Sequence, residues 1–304
     1  MSLSRRDLLA AGAALGATTV LAALDRTHDR AHAAAEGALK LQLFTSDDNG
    51  FLVNSVILAG EKDAIVVDAQ FSMANAHRLV AELLSTGKRL TTVYVTHPHP
   101  DHYFGLEVVR AAFPDARIVA IPAVAAAIEA AFAKKIAQWG PRLGANGPSK
   151  VVLPAPLAGN ALGLEDHQIE IVGPVQGDAF NNTMLWIPAL KAVVAGDTVY
   201  SGTHVWTAST DKAERAQWLK TLARIEALKP EVVVPGHIKP GTPLTLAAVA
   251  HTRGYLEAFD QVVASTRKAD EIVKAMTAKY PNADLGLMLD LGAKVAAGDM
   301  PKWD

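Results

Sequence analysis

The sequence of 304 residues contains no cysteine, and this absence narrows the chemistry available to the protein. Disulfide frameworks, thiolate metal sites and cysteine nucleophiles are all excluded. Any metal ion that the chain binds must therefore be held by nitrogen and oxygen atoms, which histidine imidazoles and carboxylates provide.

Long runs of one charge are also missing. The chain has 29 Lys and Arg residues against 31 Asp and Glu residues, which gives a formal net charge of -2. Nucleic acids and anionic membranes attract basic patches, so neither is an expected partner. Hydrophobic residues make up 50% of the chain, which is enough for a globular core. The expected partner is therefore a small-molecule substrate.

The first 35 residues differ in composition from the rest. Arg5 and Arg6 precede a weakly apolar run rich in Gly and Ala, and small residues suited to cleavage follow near Ala33 to Ala35. This order is typical of a signal peptide. The run is shorter and less apolar than a membrane-spanning helix, so no permanent membrane anchor is expected. The arginine pair resembles the bacterial twin-arginine signal, which implies the twin-arginine export machinery and a periplasmic or secreted protein.

Strand-like and helical patterns alternate in the same way in both halves of the remaining chain. The apolar runs FLVNSVILAG and DAIVVDA precede the helical stretch MANAHRLVAELLSTG, and NTMLWIP and KAVVAGD precede DKAERAQWLKTLARIEAL. This order predicts an α/β fold in which two sheets pack together with helices outside. Since no linker divides this part of the chain, we predict one domain over residues 36–304.

Three of the ten histidines lie in THPHPDHYFG, residues 96–105, at the end of the predicted strand LTTVYVTH. A proline follows both His97 and His99 and favours extended backbone there, so the two imidazoles point the same way. Pro100 favours a tight turn or a first helical turn for Asp101 and His102. The segment therefore predicts a metal site at the C-terminal end of a strand, where α/β proteins commonly build sites.

The run HPHPDH resembles the His-x-His-x-Asp-His signature of the metallo-β-lactamase-fold hydrolases. Three further segments resemble the family and follow its usual order along the chain. DAIVVDA with Asp68 precedes the histidine run, and VVAGDTVYSG with Asp197 and VVVPGH with His237 follow it. The resemblance implies an αββα sandwich of two mixed β-sheets flanked by helices. It also implies two divalent metal ions, with zinc expected and iron or manganese as alternatives.

The resemblance further implies a set of metal ligands. They are His97, His99, Asp101, His102, Asp178, Asp197 and His237. Asp197 follows an apolar strand and a glycine, and it is the residue expected to bridge two metals. Asp68 is expected to hydrogen-bond the site from behind, since such carboxylates orient histidine ligands.

Asp178 marks a departure from the family pattern. The family has a Gly-His-Thr segment before the strand that precedes Asp197, whereas this chain has GDAFNNTMLWIP with Asp178 at the histidine's place. Either Asp178 binds metal instead, or the first metal position is weakened. A carboxylate oxygen binds zinc at nearly the distance of an imidazole nitrogen, which favours replacement.

Two adjacent cations would activate a water molecule and polarise the group that it attacks, so hydrolysis is the expected reaction. Asp101 is a candidate for orienting or deprotonating that water, and Asn182 for stabilising the developing oxyanion. His204 and Trp206 are candidate pocket residues, with a plain surface-loop position as the alternative for His204. The family acts on β-lactams, lactones, thioesters and phosphodiesters, and export favours a cyclic amide or ester.

Two other functions stay open. The carboxylates Asp101, Asp178 and Asp197 favour harder ions than zinc, which is compatible with an iron-dependent redox enzyme. A metal-binding protein without catalysis is compatible with the missing histidine.

We expect Arg5→Lys combined with Arg6→Lys to leave the precursor in the cytoplasm, because the folded-protein export route requires the arginine pair. Cell fractionation followed by immunoblotting measures the distribution, with Arg30→Lys as the matched control. Normal periplasmic accumulation of the double variant would contradict the twin-arginine assignment.

Overall fold

A computed structural model of the protein describes residues 39–303. The predicted signal peptide over residues 1–35 lies outside the described residues. Its boundary with the domain therefore stays a prediction.

The first sheet has six strands, and they lie in the order of the chain. The strands are β1 (Lys40–Thr45), β2 (Asn54–Ala59), β3 (Asp63–Val67), β4 (Arg89–Tyr94), β5 (Arg117–Ala120) and β6 (Ala155–Pro156). Strands β1 to β3 form an antiparallel meander, and β3 to β6 are parallel to one another. Parallel strands need crossover connections, and helices provide them here.

The second sheet has five strands in the order β11-β10-β9-β8-β7. Their bounds are β7 (Ala161–Leu164), β8 (His167–Val175), β9 (Asn182–Ile187), β10 (Ala192–Ser201) and β11 (Val232–Ile238). Only β10 and β11 are parallel. Both sheets are thus mixed and are flanked by helices, which confirms the predicted fold class.

Seven α-helices are described. They are α1 (Met73–Ser85), α2 (Leu106–Ala112), α3 (Pro122–Leu143), α4 (Lys212–Ala227), α5 (Leu246–Ser265), α6 (Ala269–Lys279) and α7 (Gly286–Ala297). Within residues 39–303, no helix combines the length and the hydropathy that crossing a bilayer requires.

Local sequence explains where these elements begin and how they dock. The side chain of Ser72 accepts a hydrogen bond from the backbone of Asn75 and so caps α1. Asp211 and Glu214 form a reciprocal capping box at the start of α4. Strand β10 is buried along its whole length. The buried Trp218 of α4 donates from Nε1 to the backbone carbonyl of Thr198 in this strand, at 2.8 Å. This contact holds α4 against the second sheet.

The two sheets meet where their strands end. The backbone nitrogen and the hydroxyl of Thr183 both donate to the carbonyl of Thr96, at 3.1 and 2.6 Å. The backbone nitrogen of Ile238 donates to the carbonyl of Leu52 at 3.2 Å. These bonds join loops that follow β4 and β1 to strands β9 and β11, so side chains from both halves of the chain converge at one edge.

Candidate metal centre

The histidine-rich segment has the predicted backbone. His99 is extended, with φ -86° and ψ 138°, and Pro100–His102 form one short 3-10 turn. His97 and His102 are fully buried, whereas His99 retains some exposure. The segment therefore presents three imidazoles and the Asp101 carboxylate at the end of β4.

The side chains predicted as ligands form two groups that share one residue. The first group is His97, His99, Asp178 and Asp197, and the second is Asp101, His102, Asp197 and His237. Within each group, one ligand atom from every member lies within 4.8 Å of the others. The structure thus brings all seven predicted residues to two adjacent positions with Asp197 between them.

Asp197 lies at the centre of these contacts. Its Oδ1 is 3.2 Å from Nε2 of His102, and its Oδ2 is 3.0 Å from Nε2 of His237 and 3.6 Å from Nε2 of His97. Gly236 makes this approach possible, because a Cβ atom there would lie 1.8 Å from Oδ1 of Asp197. A glycine before the last histidine is therefore a requirement of the site.

Three candidate metal-ligand atoms face this centre without a hydrogen bond. Nε2 of His97, Nε2 of His102 and Oδ1 of Asp197 are buried and make no well-aligned hydrogen bond to any residue within 39–303. Buried polar atoms are normally satisfied, so a cluster of three that are not calls for a partner of another kind. Imidazole nitrogens and carboxylate oxygens are suitable ligands for divalent cations, and the residues present fit two such ions.

The electrostatics of the cluster agree with this chemistry. Burial works to raise the pKa of Asp197, but His237, His102 and His97 outweigh it and hold that pKa well below the ordinary value. Burial works in the opposite direction on His102, where Asp197, Asp68 and Asp101 outweigh it and raise the pKa. The site therefore keeps Asp197 as a carboxylate at every pH at which the protein is expected to work.

Hydrogen bonds on the far side hold the imidazoles in place. Nδ1 of His102 lies 2.7 Å from Oδ2 of Asp68, whose Oδ1 accepts from the backbone nitrogen of Thr96 at 2.8 Å. Nδ1 of His237 lies 2.6 Å from the carbonyl oxygen of Phe51. Each contact leaves Nε2 facing the centre, as partners of metal-bound histidines do. Asp68 lies behind the cluster, at the place expected for a supporting residue.

Asp178 is fully buried and has three partners. Its Oδ2 lies 2.9 Å from Nδ1 of His99 and accepts from the hydroxyl of Tyr200 at 3.0 Å. Its Oδ1 accepts from Nδ2 of Asn182 at 3.0 Å. The carboxylate is thus held in a fixed orientation next to the first metal position.

The contacts of Asn182 differ from the expectation that it faces the substrate. Its Nδ2 donates to Asp178 and to the carbonyl of Ala179 at 2.9 Å, and the residue does not line the pocket. Because the amide donors are taken up in this way, Asn182 orients Asp178 and does not reach an oxyanion.

The position of His204 also differs from both expectations, namely the pocket wall and an exposed surface loop. The residue is buried, its Nδ1 lies 3.0 Å from the hydroxyl of Tyr255, and it is absent from the pocket wall. Its backbone nitrogen donates to the carbonyl of Asp284 at 2.8 Å, which ties the loop after β10 to the start of α7. Trp206 does line the pocket, and its Nε1 donates to the hydroxyl of Ser209 at 2.9 Å.

Tyr200 is the residue of the centre that sequence reasoning missed. Its hydroxyl lies 2.9 Å from Oδ2 of Asp197 and 3.0 Å from Oδ2 of Asp178, and its ring stacks on His237 at 5.1 Å. In a regular strand, residues three apart point to opposite faces. Here Gly196 pairs with Pro235 and Tyr200 pairs with His237, so the register of β10 against β11 shifts between these two pairs. The shift brings the side chains of Asp197 and Tyr200 to the same side of the strand.

A narrow pocket adjoins the cluster, and six of the fourteen residues that line it are Phe, Tyr or Trp. It is lined by Phe51, Phe71, His99, Pro100, Asp101, Lys135, Trp139, Asp178, Asp197, Tyr200, Trp206, His237, Met288 and Trp303. Trp139 of α3 and Trp303 near the end of the described chain both belong to this wall, so segments far apart in sequence meet there.

Residues 48–237 match the family described as the metallo-beta-lactamase superfamily. This stretch contains all seven residues of the two groups and the rear partner Asp68.

Similar solved structures include that of the DIM-1 metallo-beta-lactamase, which is 22% identical, has a TM-score of 0.54, and matches over 74% of this chain and 95% of its own. TMB-1 is 20% identical, with a TM-score of 0.51 and coverage of 71% and 97%. A metallo-beta-lactamase from Pontibacter korlensis is 18% identical, with a TM-score of 0.51 and coverage of 74% and 97%. At these identities the likeness establishes the shared fold.

We expect His97→Ala combined with His99→Ala to lower bound metal from about two equivalents to about one, because the first position loses two of its four candidate ligands. Elemental analysis of the purified protein measures the change, and His77→Ala on the exposed face of α1 is the matched control. A double variant that keeps a full metal load would show that these histidines are not ligands.

His204 gives the protein a specific sensitivity to acid. Burial, together with the nearby His251, lowers the pKa of His204 to about 4. Between pH 6.5 and pH 4 the unfolded chain therefore binds a proton at this residue that the folded protein does not. The free energy of unfolding should fall as the pH falls through this window, by at most about 3 kcal/mol from this residue.

Urea unfolding of wild type and His204→Gln at pH 7 and pH 4 measures that contribution. The variant should lose less stability between the two pH values than wild type, while the exposed His77→Gln should behave like wild type. Equal losses in all three proteins would contradict the assignment.

Proposed function

The chain belongs to the metallo-beta-lactamase superfamily, and on this basis we propose that it is a hydrolase that uses two zinc ions to open a small cyclic amide or ester, such as a β-lactam or a lactone. The observation that carries the proposal is the pair of ligand groups that share Asp197 beside an aromatic pocket. Relatives in this superfamily are in general metal-dependent hydrolases.

The chain's own residues divide into two metal positions. His97, His99, Asp178 and Asp197 would hold the first ion, and Asp101, His102, Asp197 and His237 the second. When bound, such ions lower the pKa of a water molecule and polarise the carbonyl that it attacks.

Asp101 is the candidate general base. It lines the pocket, and its Oδ2 is 3.4 Å from Nε2 of His237 and 3.7 Å from Nε2 of His102. These distances place the carboxylate beside the second position without a close hydrogen bond to either ring. A carboxylate in this place can orient the attacking water and take up its proton.

Tyr200 and Asn182 hold the carboxylates that surround the reaction. Burial first of all, and then Asp178 and Asp197, raise the pKa of Tyr200 well above its ordinary value. The phenol therefore stays protonated and donates toward both carboxylates. Asn182 fixes the other oxygen of Asp178, so the residue that departs from the family pattern has a defined orientation.

The pocket wall supports a compact substrate with apolar groups. Phe51, Phe71, Trp206 and Met288 present apolar surface to the space beside the metal positions. Lys135 is the single Lys or Arg residue on this wall within the described part of the chain. A nucleic acid, with one negative charge at each phosphodiester, would need more cationic partners, so a lactam or lactone carrying apolar substituents suits the wall better.

Export belongs to the same proposal. A twin-arginine signal over residues 1–35 would deliver the domain of residues 36–304 to the periplasm or the medium, where extracellular small molecules are its substrates. Export by this route would allow the metal ions to bind before the protein crosses the membrane.

An iron-dependent redox activity is the second candidate function. The observation in its favour is the number of carboxylates at the centre, since Asp101, Asp178 and Asp197 all lie in the two groups. Oxygen ligands favour harder ions than zinc. Elemental analysis of protein purified from its native compartment separates the two candidates, because iron in stoichiometric amount supports the second and zinc the first.

Hydrolysis by the zinc-loaded protein of lactams and lactones, with a phosphodiester for comparison, tests the proposal. We expect turnover of a lactam or lactone, and we expect Asp178→Ala to lower kcat/KM by about 100-fold together with metal affinity, since a ligand is lost. Asp178→His should keep metal and activity, because imidazole can take the same place.

The exposed turn residue Asp166 supplies the matched control, since Asp166→Ala removes a carboxylate far from the site. Asp178→Ala protein that keeps both metals and full turnover would make Asp178 a bystander. Turnover of the phosphodiester alone would contradict the proposed substrate class.

A further inference from the structure

The pocket beside the metal positions is too small for a ring-bearing substrate as the structure shows it. Its cavity measures about 30 Å³. By comparison, an engineered cavity of roughly 150 Å³ binds benzene. Part of the wall must therefore move before a lactam or lactone with an apolar substituent can reach the ligand groups.

Most of the wall is anchored by packing or by hydrogen bonds. Phe71 is fully buried and stacks on Phe104 at 5.8 Å, and Phe51 supplies the carbonyl that holds His237. Trp139 lies on α3, and Trp206 is bonded to Ser209. Movement of any of these residues would disturb a helix, the core or the metal centre.

Trp303 is anchored differently, because it lies in a segment without regular structure. Helix α7 ends at Ala297, Gly298 adopts a left-handed conformation, and residues 299–303 then cross to the pocket. The backbone nitrogen of Trp303 donates to the carbonyl of Ala208 at 3.0 Å. The neighbouring Lys302 pairs with Glu214, and both side chains are partly exposed, at 39% and 30%. An exposed ion pair of this kind contributes little to stability.

The ring of Trp303 completes an aromatic cluster. Its centroid is 5.8 Å from that of Trp139 and 5.7 Å from that of Trp206, and the second pair is nearly perpendicular at 88°. Three of the five tryptophans of the chain thus meet at one point of the pocket wall. Edge-to-face contacts of this kind are available to any aromatic group, including one on a substrate.

We propose that Trp303 is a specificity-determining residue, which occupies the place of an apolar ring on the substrate and leaves with segment 299–303 when the substrate binds. The choice of reaction rests on the proposed function, whereas the displacement of Trp303 does not. A ring that replaces Trp303 restores the contacts to Trp139 and Trp206. A substrate with only a methyl group in that position leaves both indoles exposed, so ring-bearing substrates are preferred.

The proposal predicts the direction in which Trp303→Ala changes binding. In wild type, the segment must open before a ring can bind, and the apparent affinity is reduced by the small fraction of open protein. Without the indole this competition disappears. We expect the metal-loaded variant to bind the neutral fluorescent probe N-phenyl-1-naphthylamine at least about five-fold more tightly than wild type.

Two further variants keep the test informative if Trp303→Ala folds poorly. Lys302→Ala removes the ion pair with Glu214 and should tighten probe binding by about two-fold, since the open fraction rises. Trp303→Phe should lie between wild type and Trp303→Ala. The exposed Leu84→Ala on α1 is the control and should bind as wild type does. Unchanged or weaker binding in the Trp303 and Lys302 variants would overturn the proposal.

Kinetics with a matched pair of lactams, one with a phenylacetyl and one with an acetyl substituent, complete the test. Trp303→Ala should lower KM for the phenylacetyl substrate by about five-fold relative to KM for the acetyl substrate, because only the phenyl ring competes with the indole for the same place. If neither lactam is hydrolysed, the proposed function fails while probe binding still decides the role of Trp303. If both are hydrolysed and Trp303→Ala shifts neither KM, the role of Trp303 is overturned.

Discussion

The buried carboxylate of Asp197 is the group around which the site is arranged. Removing a negative charge from water is costly unless other charges and hydrogen bonds compensate for it. Here three imidazoles on two segments, His97 and His102 after β4 and His237 on β11, lie within 3.6 Å of its oxygens. Each ring is in turn held from behind, and Gly236 leaves space for the carboxylate to approach. The same arrangement that stabilises the charge leaves donor atoms directed at a common centre.

Such an arrangement requires the two sheets to stay in register with each other. The ligands come from both halves of the chain, and a small shift of one sheet would separate Asp197 from His97 and His102, which follow β4. The hydrogen bonds from Thr183 to Thr96 and from Ile238 to Leu52 fix the sheets at the edge where the site lies. The bond from Nδ2 of Asn54 to the carbonyl of Pro235, at 2.7 Å, also joins the two sheets.

Asp178 shows how the site accommodates a departure from the usual ligand pattern. A second buried carboxylate near Asp197 would repel it if nothing lay between them. Tyr200 lies between them, with its hydroxyl within 3.0 Å of both, and Asn182 holds the remaining oxygen of Asp178. The buried carboxylate of Asp178 is thus compensated by two polar partners, Tyr200 and Asn182. Aromatic residues from five separate segments then close the pocket around this centre.

Through its resemblance to the metallo-β-lactamase-fold hydrolases, the sequence alone predicted the αββα fold and one set of candidate ligands, namely His97, His99, Asp101, His102, Asp178, Asp197 and His237. This was possible because the motifs that carry the resemblance are short and local. The same resemblance predicted Asp68 as a supporting residue behind the site. The roles of Asn182, His204 and Tyr200, and the aromatic wall with Trp139 and Trp303, were decided by the tertiary structure. Tyr200 reaches the centre through a register shift in β10, and Trp303 reaches the pocket from the far end of the chain. Local periodicity predicts the direction of a side chain only where the strand or helix is regular. It does not predict which distant segments come into contact.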